Sequence, residues 1–177
     1  MELISKKCFP NATCFTDRFH LQKLASEALQ EIRIRYRWQA IDKENKAVEK
    51  AKKNKKRFAF EVLTIGDTLK QLLARSRYFL YKNKSKWSKN QIERAYLLFE
   101  LYPDIQKAYN RTQELRNIFE KTTDKIVGFA RLAKWHKKIK QSGFKSFNTI
   151  SRSIMNHYQT ILNYFDNRKY KCIHRIN

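Results

Sequence analysis

ATCFTDRFHLQKLA, residues 12–25, is the stretch in which the period of the sequence changes. Its residues 13–16 form a β-branched and aromatic run after a Pro-Asn breaker, which predicts a short strand. From Leu21 to Ile32 apolar residues recur at the spacing of one helix face. Asp17 therefore lies where a predicted strand is followed by a predicted helix.

Asp17 has two interpretations at this junction. An Asp before the first turn caps a helix, because its carboxylate accepts a hydrogen bond from a backbone N–H of that turn. Ligands and catalytic groups also collect at the carboxyl ends of strands in α/β sheets. With Arg18 and His20 beside it, Asp17 would then hold a metal ion or face a phosphate. The residues alone leave both interpretations open.

The composition of the 177-residue chain favours long helices and a polyanionic partner. Only 3 Gly and 2 Pro occur, which argues against a turn-rich β fold. The net charge of +23 favours nucleic acid as the first candidate partner and an anionic membrane surface as the second. No apolar run reaches the roughly 20 residues of a membrane-spanning helix, and residues 1–7 lack the apolar core of a signal peptide. We therefore expect a soluble, cytoplasmic protein with no membrane partner.

Hydrophobic spacing and capping signals predict five or six amphipathic helices, joined by short loops into a bundle-like, mainly α body. The predicted helices are one at about 18–56, one that is capped by Thr68 or Asp67 and continues to Leu80, one capped by Ser88, one that begins at Pro103, one that is capped by Thr122-Thr123-Asp124 and runs to Gln141 with Gly143 as its stop, and one at about 146–165. By spacing, Ile92, Tyr96 and Tyr158 are assigned to buried stripes. The rings of Tyr78 and Trp135 are also interpreted as core, rather than as stacking platforms for bases.

Positive charge is concentrated along the first long helix. Arg33, Arg35 and Arg37 are expected to point mostly outward from its amphipathic half. The helix ends in a cationic run that includes Lys52, Lys53, Lys55, Lys56 and Arg57. Such a run suits a solvated helix C-terminus, and it also suits a patch that displaces counterions from DNA phosphates. Both interpretations stay open.

Residues 16–20, TDRFH, together with Gln22-Lys23-Leu24, resemble the second-aspartate segment of DDE transposases. The closest likeness is to the ISL-type family of bacterial insertion sequences. The likeness continues in EALQEIR at 27–33, QLLARSRY at 71–78, LFELYPD at 98–104 and ILNYFDNR at 161–168. It covers nearly the whole chain, from about Leu3 to Arg168. The five-residue Asp motif alone is weak evidence, but the collinear set is specific.

The resemblance implies a fold and a domain organisation. The predicted strand would be a one-strand remnant of an RNase H-like catalytic sheet, and the helices would be the helical insertion of that family. The implied division is a sheet remnant at residues 1–22, a helical domain at 23–168 and a basic tail at 169–177.

The resemblance also implies a catalytic chemistry. In the intact family, Asp, Asp and Glu hold two Mg²⁺ ions that support phosphodiester cleavage and strand transfer. Asp17 matches the second acid, as a catalytic residue and metal ligand. The first acid would fall before Met1, and residues 169–177 contain no acid where the Glu is expected. The sequence therefore resembles a reading frame truncated at both ends.

The leading hypothesis is a DDE transposase fragment that is inactive alone and retains DNA binding. Its candidate DNA-contacting residues are Arg18, His20, Lys23, Arg33, Arg35, Arg37, Lys52, Lys53, Lys55, Lys56, Arg57, Arg75 and Arg77. The expected partner is DNA, and association with a second copy of the chain stays open. One alternative is a free-standing helical nucleic-acid-binding or regulatory protein. Another is a structural bundle whose charge serves solubility, although +23 exceeds what solubility requires.

Overall fold

The chain is mainly α-helical in the computed structural model, which describes residues 16–166. Its α-helices are α1 Arg18–Lys53, α2 Leu69–Arg75, α3 Arg77–Leu80, α4 Lys89–Leu101, α5 Pro103–Lys121, α6 Lys125–Ser142, α7 Asn148–Asn156 and α8 Tyr158–Asp166. Two short 3-10 turns, Lys84–Lys86 and Lys145–Phe147, lie between helices. The predicted mainly α fold is therefore confirmed.

The strand predicted at residues 13–16 falls almost entirely outside the described residues. Thr16 is described, and it lies in no strand. Its backbone N–H donates to the Thr160 carbonyl at 3.0 Å, and the two threonine hydroxyls are 2.7 Å apart. Within residues 16–166, β-type pairing is limited to an isolated bridge between Val62 and Thr68. An RNase H-like sheet is therefore not shown.

Local capping chemistry places several helix ends where the sequence predicts them. Thr68 and Gln71 form a capping box at the start of α2, in which the Thr68 N–H donates to Gln71 Oε1 at 2.9 Å. Asp124 caps α6 by accepting the Val127 N–H at 2.8 Å. Gly143 ends that helix with a φ of 68°, in the left-handed region that favours glycine.

Two of the predicted helices are interrupted. The helix expected to continue to Leu80 breaks at Ser76, whose buried hydroxyl donates to the Leu73 carbonyl at 2.8 Å. A serine hydroxyl that bonds to the backbone in this way competes with regular helix hydrogen bonding. The helix predicted at 146–165 is instead a 3-10 turn followed by α7 and α8, which are separated at His157. Single long helices at these two places were wrong predictions.

The buried stripe of α4 differs from the predicted one. The helix buries Ala95, Leu98 and Phe99. Ile92 and Tyr96, which were assigned to the core, lie beside this stripe and are exposed, Tyr96 to 74%. The prediction was wrong because the apolar spacing fixes the direction of the buried stripe only to within part of a helical turn, so residues at the edge of the stripe can be assigned to the core in error.

Two further tyrosines are exposed against prediction, whereas the tryptophan is buried as predicted. Tyr78 lies beside the buried residues Ser76 and Phe79 rather than on their stripe, and Tyr158 is the first residue of α8 after the interruption at His157. Tyr78 is 69% exposed, and Tyr158 is also exposed. Trp135, which lies within the uninterrupted α6, is 1% exposed.

The described residues form two compact units. We call residues 26–110 the middle unit, and residues 16–25 with 111–166 the terminal unit. An aromatic cluster lies at the core of the middle unit. The Trp87 ring centroid is 5.6 Å from that of Phe79 and 5.4 Å from that of Tyr109. The Trp87 indole N–H also donates to the Phe79 carbonyl at 2.8 Å, so the polar edge of the half-buried ring has a hydrogen-bond partner.

The core of the terminal unit joins α5, α6 and α8. Gly128 on α6 lets the Phe165 ring approach closely, because a Cβ at this position would lie 2.6 Å from the ring. Phe165 stacks on Phe119 with 5.8 Å between centroids and 4° between planes. Trp135 adds a hydrogen bond from its indole N–H to the Arg111 carbonyl at 2.8 Å.

Candidate nucleic-acid interface

Asp17 caps α1. Its Oδ1 accepts the Phe19 backbone N–H at 3.0 Å, and its carbonyl accepts the His20 N–H at 3.1 Å. The capping interpretation is therefore confirmed. The Asp17 residue is also exposed, so its carboxylate remains accessible to a ligand.

The described residues do not fit a complete Mg²⁺ site around Asp17. Mg²⁺ needs several oxygen ligands, and the neighbours of Asp17 in the first turn are Arg18 and His20 rather than carboxylates. Within residues 16–166, no three His, Cys, Asp or Glu side chains come together in a way that would hold a metal ion. A two-ion centre that used Asp17 would need ligands from outside this range.

Three candidate DNA-contacting residues lie on the first turns of α1, in the terminal unit. The Arg18 guanidinium is 4.8 Å from the Phe19 ring centroid and 6.0 Å from that of Tyr164, which are cation–π distances. His20 and Lys23 are exposed on the same helix. These three residues therefore lie near the N-terminal end of α1.

The outward placement predicted for Arg33 was wrong. Arg33 is only 5% exposed, and it donates to Gln30 Oε1 at 2.6 Å and to the Leu73 carbonyl at 2.7 Å. Burial lowers the pKa of its guanidinium from the ordinary value, and the nearby positive charges of Arg37 and Arg77 lower it further. Arg33 thus joins α1 to α2 inside the middle unit and presents no surface for a phosphate.

Arg37 and Arg77 are exposed, and their effect on Arg33 shows that they lie near the same buried charge. Arg35 is also exposed, with its guanidinium 5.4 Å from the centroid of the Tyr36 ring. Arg37 and Arg77 therefore both lie near Arg33, and Arg35 lies on the surface of α1.

The C-terminal end of α1 presents the strongest local group of cations among the predicted residues. The residues Lys52, Lys53, Lys55, Lys56 and Arg57 are all exposed. Lys55 adopts a positive φ of 51°, the Lys55 N–H donates to the Lys52 carbonyl at 3.0 Å, and the Lys56 N–H donates to the Ala51 carbonyl at 2.9 Å. This pair of hydrogen bonds is a Schellman motif, which fixes the helix end in a defined turn. We call these five cations the α1 basic end.

Arg75 has a structural partner. It forms an ion pair with Asp67, which is 1% exposed, and Arg94 Nε donates to the other carboxylate oxygen at 2.8 Å. The hydrogen bond to Asp67 is the main reason why the pKa of Arg94 is raised. Much of the positive charge of Arg75 is therefore compensated within the middle unit.

Comparison with known families decides what kind of protein carries these features. The family model of the ISL3-type DDE transposases, described as a transposase, matches residues 2–172. The chain belongs to this transposase family. No curated protein and no solved structure shows a significant match to it. Within residues 16–166, no α-helix of this transposase chain is both long and apolar enough to cross a bilayer.

A second group of cations in this transposase chain was missed by the sequence reasoning. It surrounds an open cavity of about 260 Å³ between α5 and α6. The cavity is lined by Glu114, Asn117, Ile118, Lys121, Arg131, Lys134, Trp135 and Lys138, and we call it the α5–α6 groove. A signal was present in the sequence, because residues 125–165 contain no Asp or Glu.

Glu114 is the carboxylate of the α5–α6 groove. It accepts hydrogen bonds from Arg111 at 2.7 Å and from Lys138 at 2.8 Å. Desolvation tends to raise the pKa of Glu114, but the hydrogen bonds and charges of Lys138 and Arg111 outweigh it and hold the pKa below the ordinary value of 4.5. Glu114 is therefore ionised at neutral pH and fixes the position of both cations.

Proposed function

We propose that this chain supplies a helical, DNA-binding part of an ISL3-type transposase and binds the sugar–phosphate backbone through its cationic helix surfaces. The observation that carries the proposal is the α1 basic end, where five exposed cations are held around one structured turn. Clustered Lys and Arg side chains release counterions when they neutralise phosphates, which gives salt-dependent and weakly sequence-selective binding. The net charge of +23 and the family match support the same partner.

We further propose that the 177-residue chain does not cleave DNA by itself. Asp17 is the acid that the resemblance assigns to the catalytic set, and residues 16–166 do not supply a metal-binding cluster around it. A two-ion reaction requires several converging oxygen ligands, which one carboxylate does not provide. Asp17 would act in catalysis only together with acids from outside the described residues.

Four finer expectations stay proposals. We propose a cytoplasmic location, because the proposed partner is DNA. The division into residues 1–22, 23–168 and 169–177 stays a prediction, as do the fragment status and self-association of the chain. The family match argues against the alternative of a helical protein without transposase ancestry.

The test of DNA binding is a five-fold substitution of the α1 basic end. We expect the variant with Lys52, Lys53, Lys55, Lys56 and Arg57 all changed to Gln to bind a labelled duplex more weakly. The logarithm of the binding constant falls linearly with the logarithm of the salt concentration, and each phosphate contact adds about 0.9 to the steepness of that line. The steepness should therefore be smaller by roughly 3–4 in this variant. Fluorescence anisotropy between about 50 and 200 mM salt measures this change.

The matched control removes five exposed cations elsewhere in the middle unit. It changes Lys82, Lys84, Lys86, Lys89 and Lys107 to Gln, which lowers the net charge by the same amount. We expect its slope to change by less than about 1, because charges beyond a Debye length of about 8–10 Å are screened. Equal losses in both variants would contradict a localised α1 contact, and no binding by the wild-type chain would contradict the proposed function.

A further inference from the structure

In α6 and the segment after it, no acidic residue balances the positive charge. Between residues 125 and 165 there are eight Lys and Arg and no Asp or Glu. On α6 itself, Arg131, Lys134 and Lys138 are three and four residues apart, so they share one face of the helix. That face borders the α5–α6 groove, and Lys121 at the end of α5 also lines the groove.

The cations of the groove are partly held in place. The Arg131 guanidinium donates to the Thr122 hydroxyl at 2.9 Å, and Lys138 donates to Glu114 at 2.8 Å. The side chains of Lys121 and Lys134 make no hydrogen bond or ion pair within residues 16–166. The groove therefore combines two positioned cations with two whose charges are uncompensated by the described side chains.

The composition of the groove indicates a phosphate backbone rather than exposed bases as its ligand. Base stacking requires an open aromatic face, and the aromatic residue of the groove, Trp135, is 1% exposed. Hydrogen-bond donors with a full positive charge suit phosphate oxygens, and the fork of Arg131 suits two of them at once.

The spacing of the cations also fits a nucleic-acid strand. At a rise of about 1.5 Å per residue, the helix segment from Arg131 to Lys138 is about 10 Å long. One strand of a duplex advances about 3.4 Å per phosphate along its axis, so about three phosphates cover the same length. A strand that follows this face of α6 would therefore bring several of its phosphates within reach of the cations on that face.

We propose that the α5–α6 groove is a second DNA-backbone site, in which Lys121, Arg131 and Lys134 contact phosphates of one strand. Glu114 is a positioning residue that holds Lys138 at the edge of the site. The inference rests on the proposed DNA-binding function and adds to it a location in the terminal unit that is separate in sequence from the α1 basic end.

The test compares two triple variants of the full chain. In one, Lys121, Arg131 and Lys134 are changed to Gln. In the other, Lys137, Lys140 and Lys145 are changed to Gln, which removes the same charge from exposed positions that do not line the groove. At about 100 mM salt we expect the groove variant to bind duplex DNA on the order of 100-fold more weakly, with a salt slope lower by about 2–3. The control variant should lose less than about 5-fold.

A second measurement does not depend on the folding of any variant. Acetylation of the wild-type chain, read by mass spectrometry with and without saturating duplex, should show Lys121 and Lys134 protected by DNA. Lys137 and Lys140 should remain equally reactive in both samples. The inference would be overturned if each of the four lysines were acetylated to the same extent with and without duplex, in a sample that anisotropy shows to be bound.

The outcomes separate this inference from the proposed function. If the wild-type chain binds DNA and the groove variant binds like its control, the groove inference is overturned and the proposed function stands. If the wild-type chain binds no DNA, both are overturned. If only the groove variant loses DNA binding and DNA protects Lys121 and Lys134 from acetylation, the groove inference and the proposed function are both supported.

Discussion

Trp135→Ala is expected to lower the free energy of unfolding of the terminal unit by about 3–5 kcal/mol, the range for a large aromatic removed from a packed core. The side chain is 1% exposed and occupies space between α5 and α6. Its indole N–H also donates to the Arg111 carbonyl at 2.8 Å, and this hydrogen bond would be lost with the ring. Since domains are stable by only about 5–15 kcal/mol, such a loss would leave the unit close to unfolding.

Urea unfolding followed by far-UV circular dichroism measures this effect. Trp135→Phe is the informative companion, because it keeps most of the ring volume and removes the hydrogen bond; we expect a smaller loss of about 1–2 kcal/mol. Lys137→Ala, at an exposed position on the same helix, should change stability by less than about 0.5 kcal/mol. A Trp135→Ala chain as stable as the Lys137→Ala chain would show that the packing of α5 against α6 is not as described.

Asp67→Ala is expected to cost the middle unit about 3 kcal/mol, because it removes a buried carboxylate that pairs with two arginines. Asp67 is 1% exposed and bonds to Arg75 and to Arg94. Its own carbonyl accepts the Leu63 N–H at 2.8 Å, so the residue also anchors the loop before α2. The cost stays at the lower end of the range for breaking a buried ion pair, since Arg75 is half exposed and can be solvated after the change.

Tryptophan fluorescence during urea unfolding reports on this change, because Trp87, one of the three tryptophans of the chain, lies in the aromatic core of the same unit. Glu93→Gln, a charge change at an exposed position of α4, is the control and should change stability by less than about 0.5 kcal/mol. If Asp67→Ala and Glu93→Gln had the same small effect, the bonds of Asp67 to Arg75 and Arg94 would not stabilise the fold.

Several helix ends were predictable because their causes are local, although the breaks at Ser76 and His157 were not. The caps at Thr68 and Asp124 depend on side chains within three positions of the helix end, and the stop at Gly143 depends on the backbone freedom of glycine. The family was also predictable, because several motifs occur in the same order along the chain, and the match over residues 2–172 confirms it.

The burial of Arg33 was not predictable, because its cause is not local. The spacing along α1 shows which residues lie on the same helix face as Arg33. It does not show the Leu73 carbonyl, which accepts a hydrogen bond from Arg33 and lies 40 positions away in the sequence. The break at Ser76 has a related origin, since a serine in an apolar stripe does not reveal whether its hydroxyl will bond to the backbone.

The α5–α6 groove was missed for another reason. Its cations come from two helices, whereas the α1 basic end is one continuous run of charge in the sequence. Lys121 lies on α5, and Arg131, Lys134 and Lys138 lie on α6 among buried residues such as Leu132 and Trp135, so the sequence order does not show that these cations surround one cavity. The absence of Asp and Glu over residues 125–165 was the signal that could have revealed it.

The most direct test of the account is an agarose-gel assay in which the wild-type chain is incubated with supercoiled plasmid and Mg²⁺. We predict that the plasmid is retarded at about 50 mM salt, is released as salt rises and remains supercoiled throughout. Failure to retard the plasmid at any salt concentration would contradict DNA binding. Mg²⁺-dependent nicking that is lost in Asp17→Asn would contradict the claim that this chain does not assemble a catalytic centre alone.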